Sequence, residues 1–306
     1  MKFWVGVTDN HWYQFLAQRG LDEVNFWQPS ATPPFKGAPV GMPFLFKLKR
    51  PHNHIAGGGF FVTYSTLPIS LAWEVFGEKN GAADLVDFRS LLGPLTGDGK
   101  LSGDIGCTVL ANPLFFSPER WVDPPGWAPN IVRGKMYETD KGEGATLWAA
   151  VVTEMNRGMA STERGLGIRE LDSKYGSPVS VLPRLGQSSF RVLITEAYKR
   201  RCAITGETTL VALEAAHIVP YSQEGTHDVR NGLLLRADFH RLFDVGLVGV
   251  TPDLRVKISP RIREAYFNGK AYYRLNDAPL SQIPELPYLR PDPDRLNWHY
   301  KNCFQA

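Results

Sequence analysis

The sequence predicts an α+β protein with two domains joined by a linker. Three observations predict it. Short apolar strands alternate with amphipathic helices over the first 116 residues. A Pro- and Gly-rich stretch of little periodicity follows. The last third then runs helix, strand, loop, strand, helix and closing hairpin. With 306 residues, 43% of them hydrophobic, the chain is long enough to bury two cores.

The elements follow in order. "KFWVGVT" reads as a strand. Asp9 can cap the next helix, "NHWYQFLAQRG", and Gly20 stops it. "EVNFWQPS" and "MPFLFKLKRP" read as strands, and "HNHIAGGGFFVTYSTL" as strand, Gly-rich turn and strand. "SLAWEVFG" and "DLVDFRSLL" are helical and "GDIGCTVLANPLFF" is a late strand. Together they make a curved, mostly antiparallel sheet or barrel over residues 1–134. Residues 135–187 are expected to be a linker carrying one helix, "ATLWAAVVTEMNR". The second domain, 188–306, opens on the helix "SSFRVLITEAYKRR" with Ser188 or Ser189 as its cap. "TTLVALEAAHIV" is a strand, "PYSQEGTHDVR" a polar loop, "GLLL" a short strand, and "FHRLFDV" a helix stopped at Gly246. "LVGVTPDLRVKIS" is a hairpin.

Composition narrows the function. No apolar run is long enough to span a bilayer, and the first residues lack a signal-peptide pattern, so a cytoplasmic protein with no membrane partner is expected. Cys107, Cys202 and Cys303 make neither a disulfide framework nor a Cys-x-x-Cys pair, so no structural zinc is expected. Residues 1–182 carry 17 Lys and Arg against 18 Asp and Glu, whereas residues 183–306 carry 17 against 13. The excess of positive charge suits a polyanion partner for the second part.

His217 ends an apolar strand, where a lone histidine is more often core than catalyst. Three residues change its weight. Asn231 opens the second strand. His240 follows nine residues later in the helix. Asp244 is at i+4 from it, so both side chains share one helix face. The order is a ββα unit whose imidazole and carboxylate can hold a divalent cation.

The stretch "EAAHIVPYS…NGLLLRADFHRLFD" resembles the HNH nuclease motif, the ββα-metal fold, over roughly residues 184–250. The resemblance implies His217 as general base, Asn231 as a brace across the hairpin and His240 as a metal ligand. It implies a divalent metal, Mg²⁺ or Mn²⁺, and products ending in 5′-phosphate and 3′-hydroxyl. Many such motifs carry Asp or His just before the base, where this chain has Ala216. The second ligand is therefore sought at Asp244, ahead of Asp238 and Glu214. Arg236, Arg241, Arg200 and Arg201 lie near the motif and are expected to contact DNA phosphates. His227 and His299 read as surface or packing histidines.

In the first domain, "GMPFLFKLKRP…HIAGGGFFVTYS" is similar to PUA-like domains, including the EVE and YTH types. That resemblance implies a pocket for a flipped base. Its candidates are Trp27 and Ser30, then Asn10, Trp12 and Lys47. The expectation is a modification-dependent DNA endonuclease, acting as a homodimer on double-stranded DNA with modified bases, in phage defence. The alternatives are a nicking or RNA-acting enzyme, or a catalytically inactive nucleic-acid-binding module, which Ala216 favours.

Overall fold

The computed structural model describes residues 1–35, 37–93, 103–160, 185–223 and 225–306. They fall into two units, Met1–Arg184 and Leu185–Ala306.

The first unit holds β1 (Lys2–Thr8), α1 (Asn10–Ala17), β2 (Glu23–Gln28), β3 (Pro43–Leu48), β4 (Ile55–Pro68), α2 (Ile69–Phe76), α3 (Leu85–Leu92), β5 (Asp104–Phe115), β6 (Gly134–Glu138) and α4 (Gly142–Ala160). The strands form one six-stranded sheet in the order β2-β5-β4-β3-β1-β6. β1 runs parallel to β3, and the other neighbours are antiparallel. The sheet ends on β2 and β6 rather than closing into a barrel.

Strand periodicity decides its packing. Phe3, Val5 and Leu45 enter one core with Leu147 and Val151 of α4. Trp4, Phe44 and Phe46, one residue out of step, enter another with Trp12, Tyr13 and Leu16 of α1. Successive strand side chains face opposite sides, so both faces of the sheet are buried. Asp9 caps α1 as expected, its carboxylate accepting from the N–H groups of His11 and Trp12.

Two expectations change. β4 runs through Gly57–Gly59 without a turn. The glycines serve close approach instead: a Cβ on Gly57 would lie 2.1 Å from the Leu114 carbonyl oxygen, and one on Gly58 would lie 2.7 Å from that of Phe44. The expected linker also begins inside the sheet. β6 pairs with β1 through Trp4↔Met136, and Trp148 of α4 packs on Phe3 at 5.3 Å between centroids. The pattern of this stretch is too short and Gly-spaced to show a strand. The rest of that linker, 161–184, lies outside the described residues.

The second unit holds α5 (Gln187–Ala197), β7 (Leu213–His217), β8 (Gly232–Arg236), α6 (Ala237–Asp244), β9 (Val248–Val250), β10 (Val256–Ile258), α7 (Arg261–Tyr266), α8 (Lys270–Tyr273) and α9 (Pro293–Asn302). β7 and β8 form one antiparallel pair, and β9 and β10 form the expected closing hairpin. Gly186, not Ser188 or Ser189, sits at the cap of α5, and both serines are buried inside the helix. One core joins Phe190 and Ile194 of α5, and Tyr198 at its C-terminal cap, to Leu233–Leu235 of β8, Phe239 and Phe243 of α6, and Leu296 of α9. Gly232 makes the approach of α5 possible. A Cβ there would lie 2.4 Å from Ile194 and 2.7 Å from Phe190.

His299, on α9, is a core residue at 2% exposure. It stacks on Phe243 at 3.7 Å, and its Nε2 donates to the Phe243 carbonyl at 3.1 Å. Its Nδ1 is buried with no acceptor, so a proton there has nothing to meet. Burial accordingly pushes its pKa down to about 4. A histidine whose folded pKa is depressed adds stability above the unfolded value near 6.5, and loses it as pH falls toward 4. The expected loss over that window is about 2–3 kcal/mol. Urea unfolding at pH 7.5 and pH 4.5 checks it: His299→Gln should show a flatter pH slope than wild type.

Candidate active site

The site is built on the β7–β8 pair and α6. His217 is the last residue of β7 and lies opposite Gly232, the first residue of β8. Between them the chain makes a loop that must return in register. Asn231 holds it. Its Oδ1 accepts from the Val219 N–H at 2.9 Å, and its Nδ2 donates to the Val219 carbonyl at 2.9 Å and the Thr226 carbonyl at 3.0 Å. The Asn231 side chain is fully buried, and both its donor and acceptor capacity are used on backbone. The expected brace therefore has its geometry.

His217 is half-buried beneath Phe190, whose ring stacks on it at 4.0 Å and 10°. Burial, then the neighbouring imidazoles of His227 and His240, bring its pKa down to about 4. At neutral pH the ring is uncharged and keeps one lone pair for a proton.

Ala216, the residue just before His217, is a core position with no exposure. Glu214, two residues earlier, turns its carboxylate toward His240. Its Oε2 lies 2.6 Å from His240 Nδ1. On the other side of that ring, His240 Nε2 lies 3.3 Å from Asp244 Oδ2. A carboxylate only accepts, so the proton between Glu214 and His240 sits on Nδ1. In the neutral ring, Nε2 then turns a lone pair toward a carboxylate oxygen. Two such atoms at 3.3 Å need a positive partner, either a proton or a cation.

The donor chemistry suits a cation. Two adjacent ligands of a hard divalent ion, each about 2.1 Å from it, lie about 3 Å apart. Glu214 stands on the far side of the His240 ring, where carboxylates orient imidazoles that bind metals. Among the described residues no three His, Cys, Asp or Glu side chains form a ready cation cage. Glu214, His240 and Asp244 form a chain with the imidazole in the middle, not a cup. Burial, with Glu214 as the second contributor in the same direction, raises the pKa of Asp244.

Asp238 is not brought to this group. Both its oxygens are bound by Arg236, at 2.7 and 2.8 Å, and Tyr272 donates to one of them at 3.2 Å. Residues two apart on a helix do not share a face, so Asp238 and His240 diverge. The Arg236 pair holds its carboxyl below the usual carboxylate range. This also commits Arg236, and Glu196 engages Arg200 at 3.0 Å. Arg201 and Arg241 are exposed. They make no ion pair among the described residues.

In the first unit a cavity of about 490 Å³ opens among Trp12, Phe26, Trp27, Ser30, Lys49 and Arg133. Three of the five base-recognition candidates line it: Trp27, Ser30 and Trp12. The indoles are fixed, with Trp12 Nε1 donating to the Asn25 carbonyl and Trp27 Nε1 to that of Asn80. The other two candidates lie elsewhere. Asn10 braces the Lys49–Arg50 backbone, accepting from the Lys49 N–H and donating to the Arg50 carbonyl. Lys47 is 5% exposed, with Nζ donating to Asn53 Oδ1 at 3.0 Å. Its place in a strand buried on both faces turns it away from the cavity. Sequence reasoning missed Arg133, which comes from the stretch of low periodicity, and His227, whose Nδ1 lies 3.1 Å from His217 Nε2.

The fold and site together define a ββα nuclease centre: a neutral, braced histidine beside a histidine–carboxylate pair suited to a divalent ion. Residues 202–251 match the family described as HNH endonuclease. The second unit thus carries an HNH endonuclease domain, and the chain is a nuclease. No curated protein gives a significant match. Two solved structures are similar in part. ASCH from Zymomonas mobilis is 10% identical with a TM-score of 0.34, covering 48% of this chain and 93% of that one. The modification-dependent TagI restriction endonuclease is 14% identical with a TM-score of 0.28, covering 96% of this chain and 79% of that one. Among the described residues, no helix is long and apolar enough to cross a membrane.

Proposed function

We propose that this chain is a divalent-metal-dependent DNA endonuclease that reads a modified base with its first unit and hydrolyses phosphodiester bonds with its second, in phage defence. The carrying observation is the convergence of His217, Asn231, His240, Glu214 and Asp244 on one ββα unit. The cavity beside Trp12 and Trp27 supports the reading function. It has fixed aromatic walls, one hydroxyl, a Lys49 ammonium paired with the Asp9 carboxylate at 2.9 Å, and the Arg133 guanidinium. That combination suits a flat base extruded from a duplex and the phosphates beside it.

His217 takes a proton from water as the water oxygen bonds to phosphorus and the bond to the 3′-oxygen breaks. Asn231 keeps His217 in line with that attack by fixing the loop. His240 and Asp244 would hold the cation, with Glu214 keeping the ring of His240 turned toward it. When bound, the cation neutralises charge on the phosphate oxygens and the leaving oxygen. A Mg²⁺ site of this kind takes its other ligands from water and substrate phosphate, so the cation is expected to bind more tightly with DNA than without. Arg241 and Arg201 supply phosphate contacts. One centre cuts one strand, so a double-strand break calls for two copies.

Glu214 gives a direct check on this assignment. Glu214→Gln should weaken metal activation by about 10–100-fold, read as the Mn²⁺ concentration for half-maximal cleavage. A ligand role for Glu214 would instead abolish activity at every concentration. The reading function is tested by mobility shifts on oligonucleotides that differ only in base modification. Trp27→Ala should lose discrimination between them.

A further inference from the structure

His227 has a place in the site that the reaction described above does not use. It sits edge to edge with the base, 3.1 Å from His217 Nε2 to its own Nδ1. Each ring is clamped on one face by an aromatic: Phe190 stacks on His217 at 4.0 Å, and Tyr221 stacks on His227 at 4.8 Å and 15°. The loop that returns His227 to the strand is tied on its near side. Asn231 Nδ2 donates to the Thr226 carbonyl, and Arg295 Nη1 donates to the Thr226 hydroxyl at 3.2 Å. The brace on the base and the brace on its neighbour are thus the same asparagine.

Stacking alone does not define an imidazole base. The last torsion of histidine is broad and roughly two-fold, so a ring under Phe190 can flip, which puts Cδ2 in the place of Nδ1 and Cε1 in the place of Nε2. Two ring nitrogens at 3.1 Å hold one proton between them, because one must donate and the other accept. That bond selects one of the two ring orientations and locks the pair in complementary tautomers.

We propose that His227 is a positioning residue for phosphodiester hydrolysis: its Nδ1 bonds His217 Nε2 and fixes the orientation and tautomer of the base. This rests on the nuclease reading given above. A misplaced base costs on the order of 10²-fold in rate even when every group is present.

The test compares two variants of the full chain. His227→Phe keeps a ring to stack on Tyr221 and removes the hydrogen bond. His227→Asn keeps a polar atom near the position of Nδ1. The expected result is a kcat for DNA cleavage lowered on the order of 10²-fold in the Phe variant, with KM unchanged and most of the rate recovered by Asn. A Phe variant as fast as wild type overturns the proposal. So does equal loss in both variants, which marks a packing role, or a loss confined to KM, which marks a substrate contact. A second measurement needs no cleavage and no folded variant. Imidazole ¹⁵N spectra of the wild-type protein at pH 7 should show His217 with one protonated and one bare ring nitrogen. Averaged signals from a tautomer mixture overturn the pairing. If wild type cuts no DNA, the nuclease reading falls while the ring spectra still decide the pairing.

Discussion

Alanine in place of His217 is expected to lower the single-turnover cleavage rate by about 10²–10⁴-fold, the usual contribution of a general base, with DNA binding retained. The base touches the attacking water rather than holding the duplex, so the loss belongs in the chemical step. The pH profile carries the same claim. Burial, His227 and His240 depress the pKa of His217 to about 4. A base works unprotonated, so the rate should rise through that low value and be flat by pH 6, where an ordinary imidazole is still titrating. A cation placed at His240 and Asp244 pushes in the same direction, since it also opposes a proton on His217. Single-turnover rates between pH 4.5 and 8 check this. A limb centred near 6.5 would mean that the histidine is exposed and ordinary when it acts.

Replacing Asn231 by alanine should cost roughly 2–4 kcal/mol of stability and most of the activity. Three hydrogen bonds end on this fully buried side chain. Losing it leaves the N–H and carbonyl of Val219 and the carbonyl of Thr226 without this partner; an orphaned polar group costs about 1–3 kcal/mol where it is buried, and these groups are partly buried. Water entering the gap offsets part of that. Asn231→Asp distinguishes the donor role from the acceptor role: it keeps the bond from Val219 N–H and sets a carboxylate against two carbonyl oxygens. Urea midpoints should rank wild type above Asp and Ala. Cleavage should fall in both variants even where the fold survives, because the loop carrying His227 and the end of β7 are no longer tied.

Much of this site was legible in the sequence, because its spacing is set by secondary structure. His240 and Asp244 at i+4 must share a helix face, and Asn231 must stand where the second strand begins. Residues acting across the fold were harder to see. Glu214 was one of three candidates, and only the β7–α6 packing brings it against His240 while Arg236 draws Asp238 away. His227 lies in a polar loop with no periodicity, so nothing local separates it from a surface histidine; the folding of that loop onto Asn231 makes it the partner of the base. In the first unit, alternation along β1 and β3 accounts for the buried aromatics on the two faces. It could not say which of them border a cavity, because that depends on how α1 and the stretch before β6 close around them. Lys47, a candidate for the base pocket, lies in a sheet buried on both faces, and that enclosure is set by packing rather than by local sequence.

The central claim is that one chain reads DNA modification and cuts with the ββα centre. The most direct measurement is cleavage of a panel of unmodified and differently modified plasmid and phage DNAs in Mg²⁺ and in Mn²⁺, by wild type and by His217→Ala. The expected result is cutting by wild type of at least one modified DNA and not of its unmodified counterpart, leaving 5′-phosphate ends, with the alanine variant inactive on the same substrate. Every DNA left intact by wild type in both cations, or equal cutting by the two proteins, would contradict it.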